Sequence, residues 1–509
     1  MNKRTFYMNT AIMTGCSLLL RLFGILFRIF ISNRVGAEGM GLYQLVFSVY
    51  VLGTTFANSG LMTAVTRLAA EHLARGNPHA VKRLMKLCSL ISLLVGSLSS
   101  LALCMGAPLI GQWIGDSRAV PAIAICGIAL PFIGVAGCLK GYFLACRQAW
   151  PPCLAQILEQ AIRISSILLM LKWLWSGSLA GACVIIVLGD ALSETISCVY
   201  LLFCYRKHRP QVEKSHSPIV PLLKPILHIS LPLTGGRYLS TALRTAENIL
   251  VPAQLTMYNG SDALSLSQFG AVKGMALPLI FFPSALLMTL SGLLIPELSD
   301  AHALEQRRQV TRLTERTLHV TLLGSILVGG VFTVLGRPLG DLLYHDSLVG
   351  MLLQILGPLT PVMYLDSVVS GMLKGLNQQV HSLWFAVADS AVRIGLIYLL
   401  LPHFGLTGFL YVMLVSNLLT ATLSTSRLLT VSRTPMNWGR WVIRPTFAAV
   451  VARYCVWMTQ RLIPYLTGIS AILLHGLLFV AIYCLLITLL GCFTRADWQE
   501  LTAKKTAVG

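Results

Sequence analysis

Apolar runs of about 20 residues, the length that crosses a hydrocarbon core of about 30 Å, recur from one end of this chain to the other. No long polar stretch interrupts them. Of the 509 residues 55% are hydrophobic and 11% charged, and the mean hydropathy is +0.74, the composition of a polytopic membrane protein. Fourteen spans can be read, at 8–31, 41–62, 84–106, 119–142, 152–172, 178–204, 228–252, 266–294, 315–336, 350–373, 380–401, 405–428, 441–463 and 470–492. The expected fold class is therefore all-α, with about 14 transmembrane helices. The apolar run at the start continues through Arg21 and Arg28 to Ile31 without a small-residue cleavage site, so it is read as a retained first helix rather than a signal peptide.

The net charge of +20 would suit nucleic acid, but its placement argues for a membrane instead. Of the 39 lysines and arginines, 26 fall in alternate loops and termini on one side, 5 on the other and 8 within spans. The positive-inside rule then places both termini in the cytoplasm, which an even number of spans satisfies. The thirteen cysteines are mostly scattered singly through apolar spans without zinc spacing, so neither a metal site nor a disulfide framework is expected. The longest cytoplasmic connections, 205–227 and 295–314, leave no room for a soluble catalytic domain. No phosphate-cradling G-x-x-x-x-G-K-[ST] loop is present either.

Two parts of the chain resemble each other. "GCLKGYF" (Gly137 to Phe143) ends the fourth span and "GMLKGLN" (Gly371 to Asn377) the tenth, followed by "EQAIRI" (Glu159 to Ile164) and "DSAVRI" (Asp389 to Ile394). Arg21 and Arg28 in span one likewise have counterparts seven residues apart in Arg237 and Arg244 of span seven. A parallel repeat follows, with an axis along the membrane normal: two pseudo-symmetric six-helix lobes plus two C-terminal helices. The expected divisions are an N-lobe over 1–205, a cytoplasmic linker over 206–227, a C-lobe over 228–430, and spans 13–14 with a short tail over 431–509.

Arginine at mid-membrane costs about 2.5–3.5 kcal/mol on insertion scales, so it faces protein or water and marks function. A seven-residue spacing returns a helix to within about 20° of its starting azimuth, so Arg21 and Arg28 share one face, as do Arg237 and Arg244. If spans one and seven meet, these four guanidinium groups line one cavity, with Lys273 of span eight as a fifth charge. Such a pocket suits phosphate or pyrophosphate, whose oxygens guanidinium forks bind in pairs. Glu159 with Arg163, and Asp389 with Arg393, stand at i and i+4, and Arg244 with Glu247 at i and i+3, so each pair can meet. Glu159 and Arg163 are read as a structural ion pair. Glu247 and Asp389 are candidates for binding Na⁺ or carrying a proton. Asp190 and Glu194, one turn apart, repel if both are ionised.

Several stretches resemble one family: "RLFGILFRIFISNRVGAEGMGLYQLVFSVY" (21–50), "SGLMTAVTRLAAE" (59–71), "QILEQAIRI" (156–164), "GMALPLIFFPSALLMTLSGLLIPELSDA" (274–301) and "SGMLKGLNQ" (370–378). They are similar to the stage V sporulation protein B-like oligosaccharide flippases in the polysaccharide-transport branch of the multidrug/oligosaccharidyl-lipid/polysaccharide (MOP) exporter superfamily. The resemblance implies a two-lobed bacterial flippase of the cytoplasmic membrane. Its cargo would be an undecaprenyl-pyrophosphate-linked oligosaccharide or peptidoglycan precursor, moved by alternating access in sporulation or wall synthesis. It further implies Arg21, Arg28 and Lys273 as pyrophosphate contacts, and Glu247 and Asp389 as residues for a coupling ion, Na⁺ or H⁺. No other cofactor and no nucleic acid is expected. The expected partners are the lipid-linked sugar pyrophosphate, membrane lipids and wall-synthesis enzymes, around a monomer. Arginines at 237 and 244 and the lysine at 273 depart from the family's pattern and leave the cargo's charge and size open. A cation-coupled multidrug antiporter of the same superfamily, a membrane glycosyltransferase and a scaffold are the competing readings, and an enzyme is disfavoured by the short external loops around Asp116, Asp262, Asp341 and Asp346.

Overall fold

The computed structural model describes residues 3–58, 60–175, 177–209, 220–463 and 468–492. Residues 210–219 of the linker expected at 206–227, and the tail after 492, lie outside the described residues. Among the described residues every regular element is helical. The helices are α1 (Lys3–Asn58), α2 (Leu61–Ala74), α3 (Pro78–Ile114), α4 (Val120–Ala145), α5 (Trp150–Trp173), α6 (Leu179–His208), α7 (Val220–Asn259) and α8 (Asp262–Phe269). A π-helical turn over Gly270–Ala276 leads into α9 (Leu277–Phe281) and α10 (Ser284–Ala303). The chain continues through α11 (Arg307–Tyr344), α12 (Ser347–Leu356), α13 (Thr360–Gly375), α14 (Gln379–Ser432), α15 (Arg444–Leu462) and α16 (Gly468–Leu489).

Ten helices among the described residues are long and apolar enough to cross a membrane. The 40-residue α7 is not one of them, because Arg237, Arg244 and Glu247 interrupt its apolar stretch. Two others are far longer than one crossing needs, and each breaks at a glycine. In the 56-residue α1, Gly36 takes φ 76° and ψ 177°, a backbone region open to almost no other residue. In the 54-residue α14, Gly405 takes φ 54° and ψ −132°. The first break falls between the segments read from sequence as spans one and two, and the second at the first residue of the segment read as span twelve.

Packing divides the chain into two compact units, Met1–Gly274 with Ser390–Phe409, and Met275–Asp389 with Leu410–Gly509. This is a division by contact, whereas the one read from sequence is a division by repeat. In the first unit Leu61, Val65, Leu84, Met85, Leu139 and Phe143 form a buried cluster joining α2, α3 and α4. The spacing of 61, 64, 65, 68 and 69 along α2 puts its buried residues on one stripe. The opposite logic governs the outer surface: on α3, Leu90, Leu94, Leu98, Leu101 and Met105 are 51–75% exposed, an apolar stripe at helical spacing that suits contact with lipid. Because lipid tails are as apolar as leucine, close packing and hydrogen bonds rather than hydrophobic burial hold such helices together.

In the second unit, Leu318, Val369, Leu373, Leu428 and Trp441 form one cluster. A second cluster, with Ile326, Ala448, Val456, Phe479 and Tyr483, packs α15 and α16 on α11, where the Tyr483 hydroxyl donates to the Leu323 carbonyl at 3.0 Å.

The two LKG motifs are built alike. Within the first unit the Thr66 hydroxyl of α2 donates to the Gly141 carbonyl of α4 at 3.2 Å. Within the second, the Ser299 hydroxyl of α10 donates to the Gly375 carbonyl of α13 at 2.7 Å. Both motif helices end on a left-handed residue, Arg147 at φ 58° and Asn377 at φ 59°. Both close with the same pair of carbonyl-capping bonds.

Candidate substrate cavity

The second half of α1 carries a stripe of residues with helical spacing, Met40, Tyr43, Phe47, Tyr50, Thr54 and Asn58, which brings them to one face. That face is one wall of a cavity of about 670 Å³ inside the first unit. The other walls come from the first half of α1 (Gly24, Phe27, Arg28), from α5 (Gln160, Arg163), from α6 (Asp190, Glu194) and from α7 (Arg237, Ser240, Thr241). Its size lies within the range of small-molecule sites. A second cavity of about 310 Å³ adjoins it, with Asn58, Ile133, Gln160 and Glu194 on the walls of both. Lys140 and Glu159 line the second only.

Three arginines therefore face the larger cavity. Arg28 Nη2 donates to Gln44 Oε1 at 3.1 Å, a bond that ties the two halves of α1 together across the Gly36 break and leaves the rest of the guanidinium fork uncommitted to Gln44. Arg163 is the hub of an ion-pair cluster. Its guanidinium lies 2.7 Å from Asp190, 3.1 Å from Glu159 and 3.9 Å from Glu194. Lys140 Nζ stands 3.6 Å from the other Glu159 oxygen. The side chains of Arg163, Glu159, Asp190 and Glu194 are 12–26% exposed, so these charges are largely removed from water and depend on one another. The proximity of Arg163 to both Asp190 and Glu194 answers the repulsion expected of two carboxylates one turn apart.

The segments read as spans two and seven meet. Within the first unit Thr245 of α7 donates to the Ser48 carbonyl of α1 at 3.1 Å, and Asn248 donates to the Ser48 hydroxyl at 2.8 Å. Of the five cationic candidates, Arg28 and Arg237 stand on the wall of the 670 Å³ cavity. Arg21 and Arg244 are exposed and do not line it. Lys273, carried on the π-helical turn, donates instead to Glu247 Oε1 at 3.1 Å. Arg393 Nη1 bonds the same carboxylate at 3.1 and 3.3 Å, so Glu247, with its side chain 3% exposed, sits between two cations. Asp389, in the second unit, accepts a hydrogen bond from Ser416. Glu159 and Arg163 meet as their i, i+4 spacing suggests.

Sequence reasoning passed over the neutral part of the cavity: Tyr43, Phe47 and Tyr50, whose rings lie 5.7 and 6.2 Å apart in succession, together with Thr54, Asn58 and Gln160. A signal was available in "YQLVFSVYVLGTTFAN", where aromatic and polar residues recur every three or four positions. That periodicity marks a helix face unlike the leucine-rich ones turned to lipid.

A family profile described as "Polysaccharide biosynthesis protein" matches residues 6–302. The chain is similar to stage V sporulation protein B of Bacillus subtilis (strain 168), with 26% identity over 420 residues that cover 80% of each protein. It is also similar to lipid II flippase MurJ of the same organism, with 20% identity over 421 residues, 76% of this chain and 75% of the other. A solved structure of lipid II flippase MurJ in an inward closed conformation shares the fold at a TM-score of 0.72 and 14% identity, over 96% of this chain and 99% of that one. An inward-facing multidrug resistance MATE family transporter of the MOP superfamily shares it at a TM-score of 0.62 and 15% identity, over 82% and 96% respectively.

Proposed function

Because this chain belongs to the polysaccharide biosynthesis protein family, and ten of its described helices are long and apolar enough to cross a membrane, we propose that it is a lipid-linked glycan flippase of the bacterial cytoplasmic membrane in the MOP superfamily. It moves an undecaprenyl-pyrophosphate-linked oligosaccharide or peptidoglycan precursor across that membrane by alternating access, without making or breaking a bond. The observation that carries this reading is the placement of Arg28 and Arg237 on the wall of one cavity of about 670 Å³. Two guanidinium forks facing one space match the oxygens of a pyrophosphate. The aromatic and hydroxyl-bearing face of α1 beside them suits sugar. Arg21 and Arg244, exposed and off that wall, are further candidate contacts for the same anion, whereas Lys273 is engaged by Glu247. Glu247 and Asp389 take the coupling ion, Na⁺ or H⁺. The protein works as a monomer in contact with membrane lipids and supplies wall-synthesis enzymes.

The test is leaflet exchange in proteoliposomes, with lipid II compared with a teichoic or capsular precursor. Arg28→Ala and Arg237→Ala are each expected to lower exchange at least tenfold, since losing a charge-assisted bond of about 1.5–3 kcal/mol costs that much. Arg21→Ala is expected to fail in the same assay. Normal exchange in the Arg28 and Arg237 variants sinks the reading. Efflux of cationic dyes abolished by Glu247→Gln or Asp389→Asn would establish the antiporter alternative.

A further inference from the structure

A cavity of about 570 Å³ lies in the second unit where α11 meets α15 and α16. Its walls are apolar, Ile463 and Ile472 among them, except for Arg337 and Asp341 of α11, Gln460 of α15 and His475 of α16. Arg337 and Asp341 are both exposed and stand one helical turn apart. They are not joined in an ion pair with each other or with any other charge among the described residues; the cation precedes the anion, the less favourable order for an i, i+4 pair. Two opposite charges therefore face one space without neutralising each other. The helix opposite, α16, carries no Asp, Glu, Lys or Arg, and its histidine, 6% exposed, stands on the cavity wall instead of facing lipid.

The polar groups are ordered by depth. Arg307, Arg308, Arg312 and Arg316 crowd the start of α11, and the positive-inside rule assigns that end to the cytoplasm, so the cavity belongs to the external end. Arg337 lies about two turns before α11 ends at Tyr344, and His475 about two turns after α16 begins at Gly468, which puts each about 10 Å inside its helix end. Asp341 stands about 6 Å further out along α11 than Arg337. On α15 the rings of Tyr454 and Trp457 lie 5.6 Å apart, and the Arg461 guanidinium lies 4.1 Å over Trp457, the aromatic and basic anchors of a membrane interface. Leu462, Ile469 and Leu473 beside the cavity are 60–75% exposed and give acyl chains an apolar surface. A phosphoethanolamine headgroup repeats this order from water inward: ammonium, phosphate, ester carbonyls, then hydrocarbon. We propose that the cavity binds an outer-leaflet phospholipid by its phosphoethanolamine headgroup. Asp341 accepts from the ammonium, Arg337 donates to the phosphate, and Gln460 and His475 donate to the ester carbonyls beneath.

The experiment is native mass spectrometry of the delipidated full-length protein, titrated with dioleoyl phosphatidylethanolamine and with dioleoyl phosphatidylglycerol, which has no amine. The ethanolamine lipid is expected to bind at least tenfold more tightly, the worth of one charge-assisted hydrogen bond. Asp341→Asn should weaken it about tenfold and leave the glycerol lipid within about twofold, whereas Arg337→Gln should weaken both about tenfold. Asp262→Asn, at an exposed carboxylate of the first unit, should change neither. Equal affinity for the two lipids, an ethanolamine preference that survives Asp341→Asn, or the same loss in Asp262→Asn overturns the site. Glycerophosphoethanolamine, the same headgroup without acyl chains, is expected to bind about a hundredfold more weakly, since it buries no hydrocarbon. Binding as tight as that of the lipid would assign the cavity to a soluble ligand and overturn the proposal.

Discussion

Replacing Arg163 with methionine, an apolar side chain of similar length, would strand Asp190 and Glu194 and leave Glu159 with Lys140 as its ion-pair partner among the described residues. The guanidinium is 26% exposed and the three carboxylates 12–16%, so water compensates little. Removing one partner of such a buried ion pair typically costs about 3–5 kcal/mol, much of it the penalty of leaving the other charge uncompensated. The cavity face admits some solvent, which places the expected loss near the lower end, about 3 kcal/mol. At about 2–4 °C per kcal/mol, the melting temperature in detergent should fall by roughly 6–12 °C. The double variant Arg163→Met with Asp190→Asn removes the closest stranded charge, at 2.7 Å in the parent. It should recover part of the loss, with a coupling energy of about 1–3 kcal/mol from the full cycle. An Arg163→Met protein melting within about 2 °C of wild type, or a cycle with no coupling, would refute the reasoning.

Two further outcomes follow from the same geometry. Gly36→Ala meets open space around its Cβ, so its cost is conformational alone, about 1–3 kcal/mol for a residue held at φ 76° and ψ 177°; thermal melting reads it, and an unchanged transition would show that the backbone there relaxes. Glu247→Gln leaves Lys273 and Arg393 with a neutral acceptor between them and should destabilise by about 3–5 kcal/mol. Adding Lys273→Met should restore part of that stability, and a double variant no more stable than Glu247→Gln would argue against a shared charge cluster.

The membrane class, the matching LKG turns and the Glu159–Arg163 pair were legible in the chain because each depends on local spacing. A run of about 20 apolar residues, a motif that recurs, and charges one helical turn apart all carry their meaning within one or two helices. The spacing of Arg21 and Arg28 says nothing about the length of a cavity: Arg28 lines the wall and Arg21, two turns along, does not. Lys273 illustrates the other kind of limit. Its position in an apolar stretch made it a candidate for cargo, and nothing nearby in sequence announced that Glu247, 26 positions earlier, and Arg393, 146 positions beyond Glu247, would share one carboxylate with it.

By itself the sequence determined that this chain is helical, spans a membrane many times, and places arginines where lipid cannot accept them. Those properties follow from backbone hydrogen bonding in hydrocarbon and from the cost of burying charge, which apply to each segment separately. Only the tertiary structure decided which charges face a cavity and which neutralise one another, because that depends on distances between helices far apart in the chain. It alone revealed that Gly137 clears space for the carboxamide of Asn58, since neither residue is unusual until the two helices meet.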